Sequence, residues 1–298
     1  MRLAIGLGIV LLAATTLAQD GVFVDKRNNM SVKNWTSFVI HRVSDSLVEF
    51  KGEGKPLQAE WAGQRIELRT NSLSGSASVQ AEGLLTLISA DLQGAVWARQ
   101  KLPSAQGASA VQSVEVEAGS ATYLAQSFTW TLKSAVALRQ SDPAAGVSFS
   151  AKGNSGSAAL AAPNAAKPAR FGMTQFELKG GVTFQWTRKE VKEGQAQTST
   201  LKGSTDHLVF ENAKGTLTLR GNVSLDGDSP ALLGAVSASV ATLTLDAEGN
   251  VTKIEFEGSP GKTVLKPPPG TETRVAATAL LLGFGVALGT AARGGRTP

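Results

Sequence analysis

The chain has 298 residues, of which 42% are hydrophobic and 18% charged, with 32 glycines. It is too apolar for a disordered chain and too poor in charge for a coiled coil, and it is long enough to bury a large core. Cysteine is absent, which excludes disulfides, thiolate metal sites and cysteine nucleophiles. No local motif groups either of the two histidines, His41 and His207, with other metal ligands, so a histidine-rich metal site is excluded as well.

The net charge of +5 comes from the two ends of the chain. Six of the 29 basic residues and one of the 24 acidic residues lie within the first two residues or beyond residue 260, so 23 of each sign remain in the body. A neutral body argues against a nucleic-acid groove, and we expect no nucleic-acid partner.

The first 18 residues are typical of a secretory signal peptide. Arg2 precedes an apolar run from Leu3 to Leu12, and small residues follow at Thr16 and Ala18. This is the order of a basic start, an apolar segment and a cleavage site. We expect cleavage after Ala18 and export to the periplasm; the alternative is an uncleaved anchor, for which the apolar run is short.

Between the ends of the chain, apolar residues recur with a period of two. In the segment 128–138 the even-numbered positions are large and apolar except for Ser134, and the segments 176–186 and 217–225 show the same alternation. Alternation places one set of side chains on one face of a strand, and no segment of the body has a sustained helical stripe. The sequence therefore predicts an all-β protein.

A short pattern, in which an apolar residue is followed two positions later by glycine, recurs about every 40 residues. The third position of the pattern is glycine at Gly52, Gly94, Gly180, Gly221 and Gly258, and serine replaces glycine at Ser134. Four of them are followed two residues later by a valine, namely Val96, Val136, Val182 and Val223. Such a period indicates stacked supersecondary units, and glycine on an inner face favours a bulge or a sharp bend.

A stretch rich in alanine, glycine and serine at 153–170 predicts a flexible loop or linker, and 102–112 has a similar composition. The longer stretch separates an N-terminal β-repeat half at 19–152 from a C-terminal β half at 171–265. Whether these halves are two domains or one continuous β stack stays open at this point.

A proline-rich spacer at 266–274 precedes an uncharged apolar segment at 275–292. The segment has 18 residues, which just reaches transmembrane length, and Arg293 and Arg296 after it suit a cytoplasmic end. We expect an anchor in the inner membrane; the alternative is an apolar tail that packs on the β body.

The segment from Gly203 to Gly258 contains the most regular strands, with Leu219-Arg220-Gly221-Asn222-Val223 near its middle. It resembles the OstA/LptA-like β-jellyroll of lipopolysaccharide-transport proteins, and poorer copies cover about 47–100 and 171–203. The resemblance implies a coiled antiparallel β-jellyroll built from repeats of about 40 residues, with a C-terminal hydrophobic segment added here. In this family the apolar interior holds acyl chains, and edge strands pair with other β-jellyroll transport proteins.

The resemblance thus implies an exported protein that binds or transports lipopolysaccharide or another amphipathic envelope lipid in outer-membrane biogenesis. The alternative is a structural or adhesive cell-envelope β-repeat protein with no ligand. The sequence contains no P-loop, dinucleotide fingerprint or nucleophile elbow, and we expect no enzymatic activity, cofactor or metal.

The candidate lipid-binding residues are the large side chains on the predicted inner face, each of which is alternatively ordinary core. They are Phe128, Trp130, Leu132, Val136, Phe176, Leu178, Val182, Phe184, Trp186, Leu217, Leu219, Val223, Leu225, Ile254 and Phe256.

Overall fold

In the part of the chain that the structure describes, fourteen antiparallel strands follow one another along a single sheet, and each is hydrogen-bonded to its neighbours in the sequence. The computed structural model describes residues 21–25, 30–80, 85–104, 107–162, 169–192, 195–229, 231–247, 249–258 and 263–265. The strands are β1 Gly21–Asp25, β2 Met30–Ser44, β3 Leu47–Trp61, β4 Ile66–Val79, β5 Leu85–Ser104, β6 Gly107–Leu124, β7 Thr129–Asp142, β8 Val147–Leu160, β9 Met173–Lys192, β10 Gln195–Glu211, β11 Thr216–Ser229, β12 Leu232–Leu245, β13 Val251–Glu257 and β14 Thr263–Leu265. The predicted all-β fold is confirmed.

The helical content of the described residues is limited to short 3₁₀ turns at Ala62–Gln64 and Arg170–Gly172. Among these residues there is no helix with the length and apolarity that a membrane crossing requires. The predicted signal peptide at 1–18, the spacer at 266–274 and the apolar segment at 275–292 lie outside the described residues.

Each long strand is divided near its middle by a break in register. The pairing of β5 with β6 is interrupted between Gln93 and Val96, and that of β7 with β8 between Lys133 and Val136. The breaks align from strand to strand, because each falls next to the break of its neighbour. The sheet therefore consists of two half-sheets that share their strands and are joined along a row of bends.

Half-sheet I contains the parts of the strands that lie on one side of these bends. They are 37–44, 47–53, 72–79, 85–93, 120–124, 129–133, 155–160, 173–179, 207–211, 216–220, 240–245, β13 and β14. Half-sheet II contains β1 and the remaining parts, 30–35, 57–61, 66–69, 96–104, 107–118, 136–142, 147–153, 182–192, 195–204, 223–229 and 232–238.

The bends lie at the repeated glycine positions. On β5, β7, β9 and β11 two consecutive residues have φ between 48° and 81°, namely Gly94–Ala95, Ser134–Ala135, Gly180–Gly181 and Gly221–Asn222. Glycine populates this left-handed region without the steric cost that a Cβ imposes. The repeat of about 40 residues is thus a pair of strands, one of which bends at its glycine. Gly52 and Gly258 are the exceptions, since the φ of Gly52 is not in this region and Gly258, with φ 136°, lies directly after the end of β13.

The inner faces of the two half-sheets pack against each other. Phe50 in half-sheet I contacts Trp61 in half-sheet II, with ring centroids 5.9 Å apart, and Phe176 contacts Phe149 across the interior at 5.2 Å. The buried apolar residues of both halves form one cluster that extends from β2 to β13. One bent sheet therefore provides both layers of the core, as in a coiled jellyroll.

The predicted loop at 153–170 starts too early, because residues 153–160 are the second part of β8 and pair with both β7 and β9. Likewise, 102–104 and 107–112 belong to β5 and β6. Small residues occur in β8 because larger neighbours need the space: Gly156 lies between Leu132 and Leu178, and a Cβ there would approach Leu178 Cδ2 to 2.6 Å. The sheet is continuous through the point at which two halves were predicted.

Candidate functional site

Fourteen of the fifteen candidate residues are buried in the interior, with exposed fractions of 0–6%. Half-sheet I contributes Trp130, Leu132, Phe176, Leu178, Leu217, Leu219, Ile254 and Phe256, and half-sheet II contributes Val136, Val182, Phe184, Trp186, Val223 and Leu225. Phe128 is the exception: it lies in the turn before β7 with φ 51°, and it is only partly buried against the core. The structure thus places the candidates on facing inner surfaces.

Several large interior residues were not among the candidates. Phe50, Tyr123, Phe149 and Phe210 are all buried on the inner face. The alternation of apolar residues with polar ones in β3 and β10 is a signal that predicts Phe50 and Phe210. Phe171 follows no such pattern, because it lies outside the strands.

Residues Ala169–Gly172, here called the strap, come directly before β9 and lie on the side of the interior opposite the bends. The strap contacts both half-sheets. The Phe171 ring lies 5.5 Å from that of Phe149 in half-sheet II and 5.1 Å from that of Phe210 in half-sheet I. A Cβ on Gly172 would lie 2.8 Å from Leu102 Cδ1, at the tip of β5. The strap therefore covers the interior between the tips of the two half-sheets.

Arg170 attaches the strap to two turns of half-sheet I. Its Nη1 donates to the Asn212 carbonyl at 2.8 Å, its Nε donates to the Asp246 carbonyl, and its backbone N–H donates to Asn212 Oδ1 at 3.1 Å. The side-chain bonds are charge-assisted, which makes them stronger than neutral ones. Arg170 is thus the main polar attachment of the strap to this half-sheet.

We expect Arg170→Ala to lower the free energy of unfolding by about 2 kcal/mol, since it removes the charge-assisted hydrogen bonds to the carbonyls of Asn212 and Asp246, each of which keeps only a backbone donor. Amide exchange at Ala161, whose N–H donates to the Gly172 carbonyl at 3.0 Å, should become faster. Arg220→Ala on the exposed outer face is the control. An unchanged exchange rate at Ala161 would show that Arg170 does not hold the strap.

Polar side chains interrupt the apolar interior beneath the strap. Gln112 is fully bonded: its Nε2 donates to the carbonyls of Pro103 at 2.7 Å and Ala169 at 3.3 Å, and its Oε1 accepts from Gln140 Nε2 at 3.3 Å. Gln100 Nε2 donates to the Gln64 carbonyl at 3.4 Å. Tyr123 is buried among apolar residues, and this burial raises the pKa of its phenol to about 12. Further buried polar residues are Thr70, Ser104, Asp142, Thr205 and Ser229.

Both ends of the sheet have a half-length strand edge. Among the described residues, 37–44 of β2 pair only with β3, because β1 pairs with 30–35. Near this edge Trp35 and Phe38 are partly buried, while Ile40, opposite the buried Phe50, is 38% exposed. At the other end, 232–238 of β12 pair with β11 alone within the described chain. These segments present backbone groups for further pairing.

The outer face carries ion pairs rather than a reactive cluster. Glu177 accepts hydrogen bonds from Lys179 Nζ at 3.0 Å and His207 Nε2 at 2.6 Å. Lys179, and then His207, hold the pKa of Glu177 below its usual range despite partial burial. In the described part of the chain, no group of three or more Asp, Glu or His side chains is arranged to hold a metal ion.

Because the folded pKa of Glu177 is depressed, its ionised form stabilises the fold above the usual carboxyl pKa, and this contribution is lost as the pH falls through the folded pKa. We expect Glu177→Gln to flatten the fall in stability below about pH 4.5. The effect is small, since Glu177 is about one-third exposed. Denaturant titrations at several pH values measure it, with Glu49→Gln on the exposed outer face as the control. Parallel pH profiles for the wild type and Glu177→Gln would contradict it.

A polar groove of about 270 Å³ crosses β6–β9 on the outer face of half-sheet II. It is lined mainly by hydroxyl, amide and charged groups, including Ser113, Glu115, Arg139, Ser150 and Gln185. This lining does not suit acyl chains, so the apolar interior is the candidate site for a lipid.

Comparison with known protein families and with curated protein sequences gives no match for this chain.

Proposed function

We propose that this protein is exported and binds or relays an amphipathic envelope lipid, lipopolysaccharide or another, by holding the acyl chains between its two half-sheets. The observation that carries the proposal is the single apolar interior that extends from β2 to β13. Transfer of an acyl chain into such surroundings contributes about 0.8 kcal/mol for each methylene group buried. A long interior therefore suits an extended chain better than a compact ligand.

Binding requires the half-sheets to separate, because the interior side chains are in contact. The row of bends joins the half-sheets on one side, and the strap joins their tips on the other. Separation about the bends opens the interior without breaking the strand pairing within either half. The partly exposed end at Phe38 and Ile40 is the natural place for a chain to start inserting.

The free edges support a relay between proteins. In the part of the chain that the structure describes, 37–44 pair as a strand with β3 alone and 232–238 with β11 alone, and another β-jellyroll transport protein adds a strand at these edges. The apolar residues Val39 and Val43, 59% and 48% exposed, flank the first edge. This arrangement joins the interiors of neighbouring proteins end to end in the periplasm, with 275–292 as an inner-membrane anchor.

The close packing of the interior favours a second function, that of a structural or adhesive envelope protein with no ligand. Candidate residues such as Leu219 and Val182 have no exposed surface at all. A core with such fully buried side chains supports a rigid repeat unit as readily as a lipid carrier.

Photocrosslinking in cells distinguishes the two functions. A photoreactive residue is placed at Phe184 or Leu219 on the inner face, and at Thr218 or Arg220 on the outer face of β11 as controls. Adducts with lipid at the inner positions alone support lipid binding. Clean negatives at the inner positions, in a folded and exported protein, overturn it and leave the structural function.

A further inference from the structure

Several buried polar atoms of the interior have no hydrogen-bond partner among the described residues, and the indole nitrogens of Trp61 and Trp186 are among them. Three others are the Oε1 atoms of Gln100 and Gln140 and the hydroxyl of Tyr123. The three residues are 2%, 3% and 0% exposed. Burying a polar atom without a partner costs its full desolvation free energy, so native interiors supply a partner for nearly all such atoms. Gln100, Tyr123 and Gln140 lie on the adjacent strands β5, β6 and β7.

The register of the sheet brings the two glutamines close together. Gln100 on β5 and Gln140 on β7 are both paired with Val114 on β6, one on each side. Side chains at such paired positions point to the same face, and two strand spacings separate them by roughly 9.6 Å at the backbone. The amide nitrogen of Gln100 donates to the Gln64 carbonyl and that of Gln140 donates to Gln112 Oε1, which leaves the Oε1 atoms of both residues as acceptors.

Tyr123 belongs to the facing surface. It lies in half-sheet I, in the row of cross-strand partners that runs through Trp130, Ala158 and Phe176. Phe176 of this row contacts Phe149, which is the cross-strand partner of Gln140 in half-sheet II. The row that contains Tyr123 therefore faces the row that contains both glutamines, and its hydroxyl is the unpaired donor on the opposite side of the interior.

We propose that Gln100, Gln140 and Tyr123 form a polar subsite in the apolar interior, which binds a hydroxyl group carried within an acyl chain. This inference rests on the proposed function and names the class of chain that the interior selects. A hydroxyl group donates one hydrogen bond, to a glutamine oxygen, and accepts others, from the Tyr123 phenol. Apolar neighbours such as Ile66 and Phe149 flank the glutamine row and contact the chain on either side of the hydroxyl.

Gln112 provides the internal comparison. It is as deeply buried as Gln100 and Gln140, but its amide nitrogen and oxygen both have partners within the protein. Gln112 therefore holds the strap and the neighbouring glutamine, whereas the other two retain unused acceptors. A purely structural glutamine cluster would pair all its members in this way.

The test uses octadecanoic acid and 12-hydroxyoctadecanoic acid, which differ only by one hydroxyl group. We expect the full chain to bind the hydroxylated acid about five- to tenfold more tightly. Tyr123 is the single tyrosine of the chain, so labelling with 3-fluorotyrosine gives one fluorine resonance that reports on the subsite. That resonance should move with the hydroxylated acid and move less with octadecanoic acid.

Tyr123→Phe, which removes one oxygen atom, should abolish most of the preference, measured as the ratio of the dissociation constants of the two acids. Gln140→Met should do the same, with Gln93→Met on the exposed outer face of β5 as the control. Equal binding of the two acids by the wild type overturns the polar subsite and leaves the proposed function standing. Binding of neither acid overturns both.

Discussion

Replacing Phe149 by alanine is expected to lower the free energy of unfolding by about 3–5 kcal/mol. Phe149 is 1% exposed, and its ring lies 5.2–6.4 Å from the rings of Phe171, Phe176 and Phe184. Through them it connects half-sheet II with half-sheet I and with the strap. Truncation removes these contacts and leaves a cavity that the strands cannot fill, because their hydrogen bonds hold the backbone in place.

Urea unfolding followed by circular dichroism measures this loss. The control is Val191→Ala, because Val191 is 75% exposed and its truncation should change stability by less than about 0.5 kcal/mol. A loss below about 1 kcal/mol for Phe149→Ala would mean that contact between the half-sheets contributes little to the fold. The two half-sheets would then be held together only weakly by their side-chain contacts.

Gly180→Ala is expected to destabilise the protein by about 2–3 kcal/mol, and Gly181→Ala by only about 1 kcal/mol. Both residues have positive φ, 81° and 58°, so a Cβ at either position is destabilising because of its steric repulsion in the left-handed region. The environments differ: a Cβ on Gly180 would lie 2.8–3.1 Å from three Asn154 side-chain atoms, whereas a Cβ on Gly181 meets nothing within 4 Å. The difference in stability between the two variants therefore measures the steric clash between the added Cβ and the Asn154 side chain.

A double variant, Gly180→Ala with Asn154→Gly, separates the two contributions. Removing the Asn154 side chain eliminates the clash, so the added loss due to Gly180→Ala should fall to that of Gly181→Ala. Thermal or urea unfolding is measured for the wild type, for Gly180→Ala, for Asn154→Gly and for the double variant, which together form the double-mutant cycle. Equal losses of stability for Gly180→Ala and Gly181→Ala in the wild-type background would show that contact with Asn154 does not restrict the residue type at position 180.

The alternation of apolar and polar residues predicted the inner face of the C-terminal half correctly, because side chains in a strand point alternately to its two faces whatever the strand packs against. The repeated glycines likewise marked the bends, since few other residues adopt positive φ without cost. Phe128 was misplaced because the alternation was extended past the start of β7. Residues 153–160 were misplaced because a strand of small residues between large neighbours has the composition of a loop.

The sequence by itself determined that this chain forms strands, which residues lie on their inner face, and where the strands bend, because these properties follow from local periodicity and local backbone sterics. Only the tertiary structure decided that the two halves of each strand face each other, that Phe171 and Arg170 cover the side opposite the bends, and that Gln100, Gln140 and Tyr123 retain unpaired atoms inside. Those features depend on contacts between residues far apart in the chain, and no short-range pattern encodes which distant side chain or carbonyl completes a contact.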